Sequence, residues 1–193
     1  MKSLKTLKKL SILTLTFAAG IANAQNITVK NFAGEQTVPQ NPQKVVVLDF
    51  GVADTLRALG EKDKIVGFPK SGHIPSYLAE FAQDKFQNVG SLPEPAFEQI
   101  NELNPDLIIA SPRQQKLLEK LKEIAPVFYV QNDYANYYPS FEENVRALGK
   151  IFSKQNIADE KLAALSKKVE QVAKDAKNST ALLLLVNESK ISA

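Results

Sequence analysis

Arginine occurs three times in 193 residues, at Arg57, Arg113 and Arg146, among 24 basic side chains. Arg57 and Arg146 fall inside helical patterns and read as surface residues. Arg113 differs, because in "IIASPRQQ" it follows directly on an apolar run of strand length. That puts it at the C-terminal edge of a sheet, where open α/β sheets bind ligands. There an arginine presents a rigid, permanently charged fork to an anionic oxygen ligand. The structural alternative, an exposed arginine near a helix start, is mildly disfavoured by the helix dipole. "NDYANYY", Asn132 to Tyr138, also follows a strand-like run. Its phenol rings, Tyr134 among them, can stack on a flat ligand or bind a hard metal as phenolates, and can equally pack the loop against the next helix. Asp49, after "VVVL", sits at a third strand end, suited to a ligand or to capping the following helix.

Catalytic constellations are thin. His73 is the single histidine, in a Gly-Pro loop with no second histidine to share a metal, and cysteine is absent. That excludes disulfides, thiolate metal sites, cysteine catalysis and a lipidated N-terminal cysteine. No Gly-x-Gly-x-x-Gly, phosphate loop or nucleophile elbow follows a strand, and no nucleophile–base or carboxylate pair stands at strand ends. These residues offer no catalytic constellation and no metal site, and the chain is expected to have no cofactor and not to be an enzyme.

The elements that must position these residues begin after a targeting signal. Lys2, Lys5, Lys8 and Lys9 precede the apolar stretch Leu10 to Ile21 and the small-x-small site Ala22-Asn23-Ala24. Residues 1–24 are therefore expected to direct export and to be cleaved after Ala24. The apolar stretch is too short for a membrane span. Four lysines leave with it, so 20 basic side chains remain against 21 acidic ones, which removes any argument for nucleic acid.

Ile27 to Phe32 and Gln36 to Val38, joined by Ala33-Gly34, predict a hairpin. Val45 to Leu48, Lys64 to Phe68, a small strand Asn88 to Gly90, Asp106 to Ala110 and Val127 to Val130 predict strands. Between them Val52 to Leu59, a short helix from Ser76 to Phe81, Ala96 to Leu103 and Gln114 to Ile124 predict helices. That alternation gives an α/β fold, a parallel sheet with helices on both faces. Phe141, Val145, Leu148 and Phe152 then mark one helix face. Ala158, Leu162, Leu165, Val169, Val172 and Ala176 mark the stripe of a longer helix. Ala181 to Val186 is apolar on both faces, as in the middle of a covered parallel sheet. The expected organisation is an N-terminal lobe at 25–153, a backbone helix at 154–178, and the incomplete start of a second lobe at 179–193.

"NPQKVVVLDFGVADTLRALG", "IVGFPKS", "NVGSLPEPAFEQINELNPDLIIASPRQQ" and "IAPVFYV", in this order, resemble the periplasmic ferric-siderophore-binding proteins of ABC importers, and within them the group that binds catecholate siderophores. The resemblance implies two lobes joined by a rigid helix, with a ferric siderophore in the cleft and an ABC permease as partner, in a periplasmic monomer that does not insert in the membrane. It places Arg113 against the anionic catecholate oxygens, with Gln114 and Tyr134 beside it. Phe50-Gly51, Pro69-Lys70 and Gly90-Ser91 match cleft-lining loops, and Glu98 matches a glutamate that docks against permease arginines. It further implies that the remaining cleft arginines and any iron-ligating histidine or tyrosine belong to the second lobe. The alternatives are another chelate, such as haem or cobalamin, and a truncated non-binding adaptor.

Overall fold

Three successive valines, Val45–Val47, have no polar face to turn to water, so the strand they form must be covered on both sides. The computed structural model describes residues 25–177, 179–180, 182, 185–187 and 190–192, and it shows this arrangement. The export signal, its cleavage after Ala24, Asn178, and parts of the Ala181 to Val186 run lie outside the described residues. The antiparallel hairpin β1 (Asn26–Asn31) and β2 (Gly34–Pro39) leads into β3 (Val45–Val47) and α1 (Phe50–Ala58). Then come β4 (Ile65–Phe68), β5 (Gln87–Asn88), α2 (Phe97–Glu102), β6 (Leu107–Ala110), α3 (Leu118–Lys122) and β7 (Val127–Tyr129). Two long helices, α4 (Tyr137–Ile151) and α5 (Gln155–Asp175), follow.

The central sheet has the order β5-β4-β3-β6-β7, parallel throughout. Alternate residues of each strand feed two separate cores. Val45, Val47, Leu107, Ile109 and Phe128 face a core with α1, α4, the first turns of α5 and the hairpin. Val46, Leu48, Ile108 and Ala110 face a smaller one with Ile100 of α2 and Leu121 of α3. Helices thus cover both faces, the fold class expected from the alternation of elements.

Local chemistry sets several element ends. Proline at Pro139 is tolerated because it falls in the first turn of α4, where backbone N–H groups lack helical partners. The helix expected from Gln114 begins instead as a 3-10 turn, Pro112–Leu117, before α3. α4 and α5 approach closely at Gly149, where an added Cβ would stand 2.9 Å from the Ala158 Cβ. Ala158 and Leu162 are buried there, whereas Val169 and Val172, further along the same stripe, are 44% and 65% exposed.

Two short strands follow near the end of the described residues. β8 (Leu185–Asn187) pairs antiparallel with β9 (Lys190–Ser192), forming a small sheet of their own. Among the described residues neither strand joins the five-stranded sheet.

Candidate functional site

The sheet order reverses direction between β3 and β6, and helices depart to opposite faces at that point. Such a switch leaves a crevice beyond the C-terminal strand ends. A cavity of about 260 Å³ occupies it, lined by Asp49 after β3, by Ser111, Pro112 and Arg113 after β6, and by Val130, Asn132 and Tyr134 after β7. A second cavity of about 240 Å³ adjoins it and shares Asp49, Val130 and Asn132. Its floor is apolar, built from Val52 of α1 with Phe141, Val145 and Leu148 of α4, while Gly51, Thr55, Tyr137 and Asn144 add small or polar groups.

Each loop around the crevice is fixed by a polar group. Asp49 accepts a hydrogen bond from the Val52 N–H at 3.0 Å and so caps α1. Gln114 is fully buried, and its Oε1 accepts from the Ser111 N–H at 2.9 Å. Its Nε2 donates to the Leu92 carbonyl, tying the β6 loop to the loop after β5. The loop after β7 hangs from Asn144, which donates to the Gln131 carbonyl at 3.0 Å and to Asn132 Oδ1 at 2.8 Å. Asn144 in turn accepts from Asn31 at 2.9 Å, and Asn31 donates to the Tyr129 carbonyl at 3.0 Å. Gln36 completes the seal by accepting from the Tyr129 N–H at 2.7 Å and donating to its carbonyl at 2.9 Å.

Arg113 is exposed, and among the described residues no carboxylate lies within 4 Å of it. Its charge is therefore unspent. Tyr134 is 86% exposed on the same rim. Burial, and secondarily its interaction with Tyr134, pushes the Tyr129 phenol above its ordinary pKa of 10.0. The Tyr129 hydroxyl is buried and has no hydrogen-bond partner among the described residues.

The structure thus brings Arg113 and Tyr134 together and sets Gly51 in the adjoining cavity. It sorts the other expected contacts differently. The Gln114 side chain is buried with both ends of its amide engaged, and it holds the loop that carries Arg113. The Phe50 ring turns from the crevice into the core, stacked on Phe68 at 5.2 Å. Pro69 is buried, and the Lys70 ammonium donates to the Gln83 and Ala82 carbonyls at 2.7 and 3.1 Å. Gly90 has φ +92, and an added Cβ would meet the Glu94 carbonyl oxygen at 2.5 Å, so this glycine serves a tight turn. Ser91 Oγ accepts from the Glu94 N–H at 3.1 Å within the same turn. Pro69, Lys70, Gly90 and Ser91 line neither of the two cavities. Glu98 is exposed on α2, beside a groove formed with Phe97, Asn101, Lys120, Glu123 and Ile124. His73 is exposed and lies outside both cavities. Asn132 and Asn144 had no signal in the sequence beyond their place after a strand and within a helix.

A family model described as periplasmic binding protein matches residues 45–191. The petrobactin-binding protein YclQ of Bacillus subtilis is 42% identical over 173 residues, 88% of this chain and 54% of that protein. Its crystal structure superposes with a TM-score of 0.83, covering 87% of this chain and 60% of that one. The iron uptake ABC transporter substrate-binding protein PiuA of Streptococcus pneumoniae is 40% identical, with a TM-score of 0.81 over 87% of this chain and 60% of its own. The periplasmic catecholate-siderophore-binding protein VctP of Vibrio cholerae is 32% identical, with a TM-score of 0.75 over 86% of this chain and 60% of its own. These relatives are binding proteins. The chain spans about half the length of the curated relatives it matches.

Proposed function

The chain belongs to the periplasmic binding protein family, and from that premise we propose that it captures a ferric siderophore of the catecholate type for delivery to the inner-membrane permease of an ABC importer. The observation that carries this reading is the unpaired Arg113 guanidinium at the switch-point crevice, in a chain similar to siderophore-binding proteins. A ferric catecholate presents several anionic oxygens on a rigid, flat-ringed body. Arg113 meets the charge, and the exposed Tyr134 ring offers a face for stacking. Iron is cargo here, and binding involves no covalent step and no resident cofactor.

The same reading assigns the remaining parts. Residues 1–24 direct export to the periplasm, 25–153 form the N-terminal lobe, and α5 within 154–178 is the backbone leading to a second. Glu98, exposed on α2, docks against permease arginines, and the protein works as a monomer.

The experiment is a titration of the purified protein, followed by quenching of its tyrosine fluorescence, with a ferric catecholate, ferric dicitrate and haem in turn. The ferric catecholate should bind tightest. Arg113→Gln should weaken it by roughly tenfold to a hundredfold, the equivalent of about 1.5–3 kcal/mol for a charged hydrogen bond. Tighter binding of haem, or an Arg113→Gln protein that binds like the parent, would refute the reading.

A further inference from the structure

The hairpin begins almost at the expected cleavage site. β1 opens at Asn26, whose register partner is Pro39. Beyond that pair the ladder gains one more bond, from the Gln40 N–H to the Gln25 carbonyl at 2.8 Å. Gln40 also donates from Nε2 to Ser153 Oγ at 3.4 Å, which ties the same corner to the turn between α4 and α5. Gln25 itself is exposed. Cleavage after Ala24 makes it the first residue of the chain, with a free α-amine beside its own side-chain amide. Proteolytic trimming concentrates at chain ends. Loss of Gln25 would take the acceptor of the Gln40 N–H with it.

We propose that Gln25 is a modification site, where the exported chain cyclises to pyroglutamate and so closes the amino end of the hairpin. The inference rests on the export reading above, since only cleavage after Ala24 frees this amine. An α-amine has a pKa of about 8, so part of it is neutral and nucleophilic near neutral pH. Its nitrogen attacks the Cδ carbonyl carbon of the Gln25 side chain. A new N–Cδ bond closes a five-membered lactam, the Cδ–Nε2 bond breaks, and Nε2 leaves as ammonia with the proton that the α-nitrogen gives up. Nothing is oxidised or reduced, and no co-reactant is consumed. Exposure leaves the side chain free to fold back on the amine. The bond from Gln40 falls on the Gln25 backbone carbonyl, which the lactam leaves intact. The product has no α-ammonium, so a peptidase that needs a free amine cannot start there, and the acceptor for Gln40 is kept.

The test expresses the full chain with residues 1–24 in a host that has a periplasm and purifies the exported protein. Amines on the folded protein are methylated reductively first, so that any α-amine present at isolation is marked before digestion. A glutamate-specific protease then releases the amino-terminal peptide, Gln25 to Glu35, for mass spectrometry. The expected peptide begins at residue 25, is lighter by one ammonia, and carries methyl groups on Lys30 but none at its end. Gln25→Ala keeps the backbone carbonyl and should show a methylated terminal amine. Treated with an aminopeptidase, that variant should lose residue 25 while the parent keeps it. A parent peptide that begins at Gln25 with a methylated amine overturns the proposal while cleavage after Ala24 stands, as does the same fate for parent and variant under the aminopeptidase. A peptide that begins at another residue overturns the cleavage reading and this inference with it.

Discussion

Removing the Gln114 side chain should cost more stability than any surface change near the site. In Gln114→Ala the Ser111 N–H, buried at the end of β6, loses its acceptor at 2.9 Å, and the Leu92 carbonyl loses its donor. An unsatisfied buried polar group costs about 1–3 kcal/mol. Leu92 is half-buried, so water can partly replace the lost donor, and its share belongs at the low end. The truncated chain segment leaves a void as well, because Gln114 is 0% exposed. Together these give roughly 2–4 kcal/mol, against a domain stability of about 5–15 kcal/mol, so the variant still folds. For a chain of this size each kcal/mol moves the melting temperature by about 2–4 °C, giving a fall of roughly 4–16 °C. Urea denaturation should show a lower midpoint with an unchanged slope. Gln114→Glu tests the donor separately: it keeps an acceptor for Ser111 but buries a charge that cannot donate to Leu92, and it should be at least as damaging. A loss under about 1 kcal/mol in both variants would refute the clasp, since neither orphaned group could then cost its desolvation.

The remaining perturbations act on the loop after β7. Asn144→Ala removes the donor to the Gln131 carbonyl and Asn132 and the acceptor for Asn31; a loss of about 2–4 kcal/mol in urea denaturation is expected, with weaker ferric-catecholate binding. Tyr129 has a raised pKa, through burial first and Tyr134 second, so its contribution to stability is present below pH about 10 and lost as pH rises through the folded-state value. Tyr129→Phe should therefore flatten the alkaline loss of melting temperature and, by removing an unpartnered hydroxyl, leave neutral-pH stability unchanged or higher.

The strands β3 and β6 were legible in the sequence because runs such as Val45–Val47 and Leu107–Ala110 leave no polar face, and that demands cover on both sides. Arg113 was legible for a related reason: a strand end in a parallel sheet is a position that sequence alone can mark. Gln114 was not, since a polar residue beside an exposed arginine gives no sign of whether it faces solvent or the interior. The buried partner that decides it, the Leu92 carbonyl, is 22 residues away. The direction of the Phe50 ring was hidden in the same way, because it meets Phe68 only once β3 and β4 are side by side. The pairing of Leu185–Asn187 with Lys190–Ser192 was not legible, because the second strand is polar at its ends and carries no strand signal of its own.

The distribution of polar groups around the crevice follows from the weakness of a single charge. On the proposed reading, one charged hydrogen bond from Arg113 to the ligand would supply about 1.5–3 kcal/mol. Ordering one long side chain on binding costs about 0.5–1.5 kcal/mol, and fixing one backbone residue about 1–2 kcal/mol. A loop that had to order around the ligand would therefore erase what Arg113 contributes. The fold avoids this by spending neutral groups beforehand: Gln114 fixes the loop after β6, Asn31, Gln36 and Asn144 fix the loop after β7, and the Asp49 cap fixes the loop after β3. Gln36 also pairs with both backbone groups of Tyr129 as a neighbouring strand would, which closes the open edge of β7. The amides are suited to this role because, fully satisfied, they can be buried without leaving charge behind. The two charges are suited to the opposite role: Arg113, exposed, and Asp49, half-buried, line the crevice, and no ion pair joins them among the described residues.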